Sequence, residues 1–146
     1  MKIFKLLLLT SLLVSPAKWL TDFNVAKTEA EKSHKLILLN FSGSDWCAPC
    51  IELRKTIFES ENFIDFASDN LVLVNADFPR QNKHKLNADQ KKLNEALAEK
   101  YNPQGKFPFT LLMTSEGKIL KHWDGLPDLT DKQFVDELKQ QVDANH

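Results

Sequence analysis

The chain has 146 residues, 42% hydrophobic and 27% charged, with 19 Lys and Arg against 20 Asp and Glu for a formal net charge of −1. That length suits one compact domain with its own core and is short for two typical ones. Lys and Glu are mixed along the chain rather than blocked, so nothing in the charge pattern attracts nucleic acid, and there is no internal repeat or low-complexity tract.

The chain opens with Lys2 and Lys5, an apolar run from Leu6 to Val14 broken by Thr10 and Ser11, and then Ser15-Pro16-Ala17. Charged, apolar, small is the order of a secretory signal peptide, with cleavage expected after Ala17. A membrane-spanning helix needs roughly 20 apolar residues and this run is shorter, which leaves an uncleaved anchor as the alternative. The expected division is a signal peptide over 1–17 and a single domain over 18–146, exported to a bacterial periplasm. Loss of Lys2 and Lys5 makes the mature domain more acidic than the whole chain.

From Asp22 to Lys35 the pattern is that of a solvent-facing helix, with Phe23, Val25 and Ala26 near its start. "LILLNF", Leu36 to Phe41, is a continuous apolar run and predicts a central strand buried on both faces. Ser42 to Asp45 then form a loop. Cys47 to Glu59 reads as a helix with Ile51, Leu53 or Arg54, Ile57 and Phe58 inward, and Glu61 to Ser68 as a second, shorter one. "LVLVNAD", Leu71 to Asp77, is another buried strand, followed by a polar loop over 78–86. Asn87 or Asp89 caps a helix to about Tyr101, with Leu93, Ala96, Leu97 and Tyr101 on one face. Phe109 to Thr114 and "KILKHWDG" form a hairpin about "SEGK", and Thr130 caps a last helix that carries Phe134, Val135, Leu138 and Val142 at helical spacing. This order predicts an α/β fold, a sheet covered by helices on both sides with parallel first crossovers.

The only cysteines, Cys47 and Cys50, lie in "SGSDWCAPCIELRK". As a staple the pair would be poor, because so short a loop gains little from closure on a scale of roughly 0–5 kcal/mol. A zinc site would need two more ligands, and His34, His84, His122 and His146 are scattered. Where a buried strand ends and a helix begins, Cys47 sits over unpaired backbone N–H groups and the positive end of the helix dipole, which stabilise a thiolate. Cys47 is the expected nucleophile. Cys50, one turn on, can attack a mixed disulfide on Cys47 and leave the pair oxidised. Pro49 fits the first turn, where its missing N–H costs nothing. Trp46 beside the pair is either a shield or ordinary packing. Phe107-Pro108 precedes the third long strand; on sequence alone a trans bond is the expected state.

Together "LILLNFSGSDWCAPC", "LVLVNADF", "LAEKYNPQGKFPFTLLMTSEGKIL" and Gly125 resemble the thioredoxin superfamily, and more closely secreted thioredoxin-like proteins related to bacterial thiol:disulfide interchange domains. The resemblance covers most of residues 35–126. It implies a thioredoxin-like fold with a central mixed β-sheet flanked by helices. It further implies that Cys47 is the nucleophile, Cys50 the resolving thiol and Pro108 a substrate-cradling cis-proline, with Phe107 presenting its backbone to a bound peptide and Trp46 beside it.

The departures are specific. Where thioredoxins carry a buried Asp thought to deprotonate the resolving cysteine, this chain has Asn40, which cannot take a proton. The accompanying Lys is missing from Leu73-Val74-Asn75, Ala48 replaces a Gly, and the stretch 78–92 is longer than the family minimum. Asp45 and Glu52 are the candidate replacement bases.

The expected function is that of a periplasmic thiol:disulfide oxidoreductase, an enzyme without cofactor. It acts as a monomeric reductase on exported cysteine-containing proteins, through a membrane electron donor or acceptor and with no nucleic acid. The rival is a Cu(I) or haem-maturation accessory protein, for which His122 on the hairpin is the one candidate additional ligand.

Overall fold

The computed structural model describes residues 15–145, so the signal peptide expected over 1–17 lies, up to residue 14, outside the described residues. In chain order the elements are β1 (Trp19–Leu20), α1 (Phe23–Ser33), β2 (Leu36–Ser42) and α2 (Ala48–Leu53), which runs on as a π-helical stretch, Arg54–Phe58. There follow α3 (Glu61–Asn70), β3 (Leu71–Asp77), a 3-10 turn (Asn82–His84), α4 (Ala88–Tyr101), β4 (Phe109–Met113), β5 (Ile119–Asp124) and α5 (Asp131–Ala144). Helices start where a side-chain oxygen can take an unpaired N–H: Asp22, Ser60, Asn87 and Thr130 all do so, and Thr130 completes a capping box with Gln133.

The apolar run at Leu36 is the centre of the molecule. All seven residues of β2 are buried, and successive side chains enter opposite layers as a strand requires. Leu36 and Leu38 pack with Leu53, Phe58, Phe63 and Phe134, whereas Ile37, Leu39 and Phe41 pack with Ala26, Ala30, Val74 and Leu111. The sheet order is β1-β3-β2-β4-β5, with β3 parallel and β4 antiparallel to β2, and β5 antiparallel to β4. This is the expected mixed sheet between helices.

That topology places the site. Because β2 and β3 run parallel, the chain leaves both at the same edge, after Ser42 and Asp77. Because β4 runs against β2, it begins at that edge, at Phe109. The cysteine loop, the loop after Asp77 and the Phe107-Pro108 turn therefore meet, although they are far apart in sequence.

Two local expectations are corrected. Trp19–Leu20 forms an edge strand, paired with Leu73 and Val74, where no strand was expected. Two residues are too few to show a period; what holds them is β3 and the packing of Trp19 against Phe58 and Phe63, at 5.0 and 6.4 Å between ring centroids. On α4 Leu97 and Tyr101 pack inward as expected, but Leu93 and Ala96 do not. Leu93 is 42% exposed, and Asn94 is the buried residue, because its Nδ2 donates to the Asp77 carbonyl at 2.9 Å. A polar side chain that captures a strand-end carbonyl outweighs the apolar pattern there.

Phe134 is fully buried against Phe58, Phe63 and Trp123. Phe134→Ala is expected to cost about 3–5 kcal/mol in urea unfolding. A loss below about 1 kcal/mol would mean that α5 is not a closing wall of this layer.

Candidate active site

Cys47 and Cys50 are joined in a disulfide, with Cα atoms 5.2 Å apart, and each is 5% exposed. Cys47 has the extended backbone of an N-cap, and its Sγ accepts the N–H of Cys50 at 3.3 Å. Ala48 and Pro49 fill the first turn, where Pro lacks a donor that would otherwise go unpaired. Since the two residues are equally buried, residue burial does not distinguish them. What distinguishes them is the N–H aimed at Cys47, the residue that also stands at the positive end of α2.

The loop that carries Cys47 is held by three kinds of contact. The Gly43 carbonyl accepts the N–H groups of Trp46 and Cys47, at 3.2 and 2.9 Å. A Cβ on Gly43 would stand 2.2 Å from the Trp46 ring, so only glycine lets the indole close over the turn. The Asp77 carboxylate takes the Ser44 N–H at 2.9 Å, the Ser44 hydroxyl at 2.5 Å and the Ser42 hydroxyl at 3.2 Å. In the other direction, the Asp45 carboxylate takes the N–H groups of Arg80 and Gln81, both at 2.9 Å, and meets His84 Nδ1 at 3.0 Å. The two loops at this edge clasp each other, one aspartate from each side.

This overturns Asp45 as a replacement base. Its side chain is 4% exposed and turned toward residues 80–84. The Arg80 N–H is the largest cause that brings its pKa from 3.8 to about 2; burial opposes it, and the Gln81 N–H and His84 add to it. A carboxylate so engaged does not collect a proton from a thiol. Glu52 is exposed on the outer side of the helix and is not among the groups that line the recess behind Cys50.

That recess, about 200 Å³, is lined by Cys50, Asn40, Ser42, Asn75 and Arg54 among others. Asn40 faces Asn75 on one neighbouring strand and Thr110 on the other. Its Nδ2 donates to Asn75 Oδ1 and its Oδ1 accepts from Thr110 Oγ1, each at 3.0 Å. A neutral amide–amide–hydroxyl row thus replaces the acid and base that the resemblance led one to look for. The sequence carried a signal for it: three polar residues in otherwise apolar buried strands, in register, need each other as partners.

Trp46 Nε1 donates to the Phe78 carbonyl at 2.7 Å, and the Arg80 guanidinium lies 3.6 Å over the indole. Phe107 meets Trp46 and Phe78 edge-on, both at 5.4 Å. The Phe107–Pro108 bond is cis, and the Pro108 carbonyl accepts the Gly125 N–H at 2.9 Å. Among the described residues nothing hydrogen-bonds to the N–H or C=O of Phe107. Phe107 is thus packed on Trp46, the residue before Cys47, and Pro108 follows it through the cis bond. Asp77 and Arg80 contact the cysteine loop and went unnoticed in the sequence, since each acts across loops some 32–36 residues apart. His122 packs on Phe109 at 5.8 Å between centroids, and it is not among the residues that line the recess at Cys50. Among the described residues no group of three or more His, Cys, Asp and Glu side chains is placed to hold a metal ion.

A family model described as "Thioredoxin-like" matches residues 18–114. The chain is 37% identical over 95 residues to "Disulfide bond reductase DsbH" of Chlamydia pneumoniae, a match that covers 65% of this chain and 55% of that protein. It is 26% identical over 127 residues to "Thioredoxin-related protein DsbJ" of the same organism, covering 87% of this chain and 36% of that one. The chain thus spans about half, or less, of the length of these curated relatives. A solved structure described as "DsbH Oxidoreductase" superposes with a TM-score of 0.82 at 28% identity, over 97% of this chain and 95% of that one.

Asp45→Asn should lower stability in a pH-dependent way. A carboxyl whose folded pKa is depressed stabilises above its unfolded pKa and loses that contribution as pH falls through the folded one. The difference in Tm between wild type and Asp45→Asn should be full above about pH 4 and shrink between 3.8 and about 2. A difference that does not change with pH would show that the charge of Asp45 is not what holds the loop.

Proposed function

The chain belongs to the thioredoxin-like family, and from that premise we propose that it is a thiol:disulfide oxidoreductase that reduces disulfides of exported proteins through Cys47 and Cys50. The observation that carries the reading is the cysteine pair itself: closed at a helix start, with the Cys50 N–H directed at the Cys47 sulfur, beside an aromatic platform and an unpaired Phe107 backbone. In the reduced state the Cys47 thiolate attacks one sulfur of a substrate disulfide. A Cys47–substrate bond forms, the substrate S–S bond breaks, and the departing thiolate takes a proton. Cys50, deprotonated, then attacks the Cys47 sulfur, closes the Cys47–Cys50 bond and releases the second substrate thiolate, which is protonated in turn. Two electrons pass from protein to substrate, and an external dithiol returns them.

Phe107 and Pro108 fit the role of substrate platform: an extended peptide can pair with the Phe107 N–H and C=O, and Pro108 has no donor to compete. Trp46 covers the flank. With Asn40, Asn75 and Thr110 neutral, the Cys50 proton leaves through the recess to solvent rather than to a buried carboxylate. The reductive direction is supported by the relative whose printed name is a disulfide bond reductase. Residues 1–17 are then a cleaved export signal and 18–146 the working domain in the periplasm, fed by a membrane electron carrier. The start of β1 at Trp19, just past Ala17, supports that division.

Reduction of insulin disulfides with dithiothreitol as donor is expected to depend on the protein and to fall to the uncatalysed rate in Cys47→Ser. Cys50→Ser should instead accumulate a mixed disulfide on Cys47, seen by mass. Full turnover in Cys47→Ser would contradict the proposal.

Asn40→Asp places a carboxyl in the recess. It is expected to add an ionisation to the pH dependence of the resolving step, followed in single turnover, that wild type lacks. An unaltered profile would show that the recess does not serve Cys50.

A further inference from the structure

Between Phe78 and Ala88 the chain contains Arg80, Lys83, His84 and Lys85 and no acidic residue, in a domain whose overall charge is slightly negative. Residues 80–85 are all exposed. The two acids that hold this edge of the sheet are already engaged. Asp45 is spent on the N–H groups of Arg80 and Gln81 and on His84, and Asp77 on Ser42 and Ser44. Among the described residues no carboxylate stands within salt-bridge reach of Arg80, Lys83 or Lys85. A cleft of about 260 Å³ runs between the loop and α4, lined by Arg80, Lys85 and Lys91, with Glu95 already paired to Lys91 at 3.7 Å.

The position of this charge is as telling as its sign. Arg80 lies flat on the indole of the residue that precedes Cys47, and its own N–H is anchored by Asp45. The guanidinium is held in place, with its donors unclaimed by any carboxylate, next to the platform where a substrate strand would lie. A planar fork held this way suits a carboxylate better than a mobile ammonium does, because less freedom is lost when the two hydrogen bonds form. Lys83 and Lys85 extend the positive field outward, which steers an acidic partner during encounter.

Building on the oxidoreductase reading, we propose that the loop 80–85 is the specificity element of the exchange reaction and selects protein disulfides whose cysteines are flanked by aspartate or glutamate. The electron and proton balance is that already given; the loop alters which disulfide is presented to Cys47, not the chemistry. Arg80 is the contact residue, and Lys83 and Lys85 act on encounter.

The test uses the reduced full chain and three synthetic peptides with the same disulfide, flanked by Asp and Glu, by Ser and Asn, or by Lys. The readout is the ratio of kcat/KM for the acidic peptide to that for the neutral one. At low ionic strength this ratio is expected to be about tenfold and to fall with added salt. It should drop partway in Lys83→Gln/Lys85→Gln, which leaves the Arg80–Trp46 stack in place, and approach unity when Arg80→Gln is added. Arg80→Lys should retain the salt dependence but lose part of the ratio. A ratio near unity in wild type, or one that survives in the triple variant, overturns the proposal. So does binding of the loop to phosphatidylglycerol vesicles without any peptide preference, which assigns the charge to a lipid surface. If wild type reduces none of the three peptides and no insulin, the oxidoreductase reading itself has failed and this inference goes with it.

Discussion

Burial of β2 on both faces is the constraint on which the rest of the structure depends. A strand whose seven residues are all buried must pair on both sides and receive a covering layer above and below. β3 and β4 supply the pairing, α1 covers one face, and α3 and α5 cover the other. Once β3 is parallel and β4 antiparallel to it, three chain segments have to emerge at a single edge. The chemistry sits there because the strand directions leave it nowhere else to converge.

Convergence alone would leave loose loops, and it is two partly buried acids that tighten them. Asp77 closes on Ser42 and Ser44, and Asp45 closes on Arg80 and Gln81, so each loop supplies the acceptor for the other's donors. Carboxylates that accept backbone N–H groups make stronger hydrogen bonds than neutral acceptors do. One consequence is that Asp45 and Asp77 are structural, which leaves the recess behind Cys50 without a carboxylate. A second is that the cations of the following loop face outward with nothing to offset them. The same contacts that hold the cysteine turn therefore shape its electrostatic surroundings.

Much of this was legible in the residues. Continuous apolar runs marked β2 and β3, the turn residues marked the hairpin, and the caps of α4 and α5 stood at Asn87 and Thr130. The cysteine pair and the Phe107-Pro108 turn carried a resemblance specific enough to point to Cys47, Cys50, Trp46 and Pro108 together from the residues alone. β1 was not legible, because two residues carry no period and Trp19 is held by Phe58 and Phe63 from distant elements. On α4 Leu97 and Tyr101 were legible as inward residues, whereas Asn94 was not, since it answers a carbonyl on β3, a contact that only the assembled fold creates. Asp45 looked like a free acid for the same reason: its partners lie some 35 residues away.

The reduction potential of the Cys47–Cys50 couple tests the central claim most directly. Equilibrated against glutathione or dithiothreitol and read by alkylation and mass, a protein-disulfide reductase should show one two-electron transition. Its midpoint should lie near the thioredoxin end of the family's range, around −270 mV. A midpoint close to −120 mV, the range of strong oxidants of this fold, would contradict the reductive role, and a pair that shows no reversible transition would contradict exchange altogether.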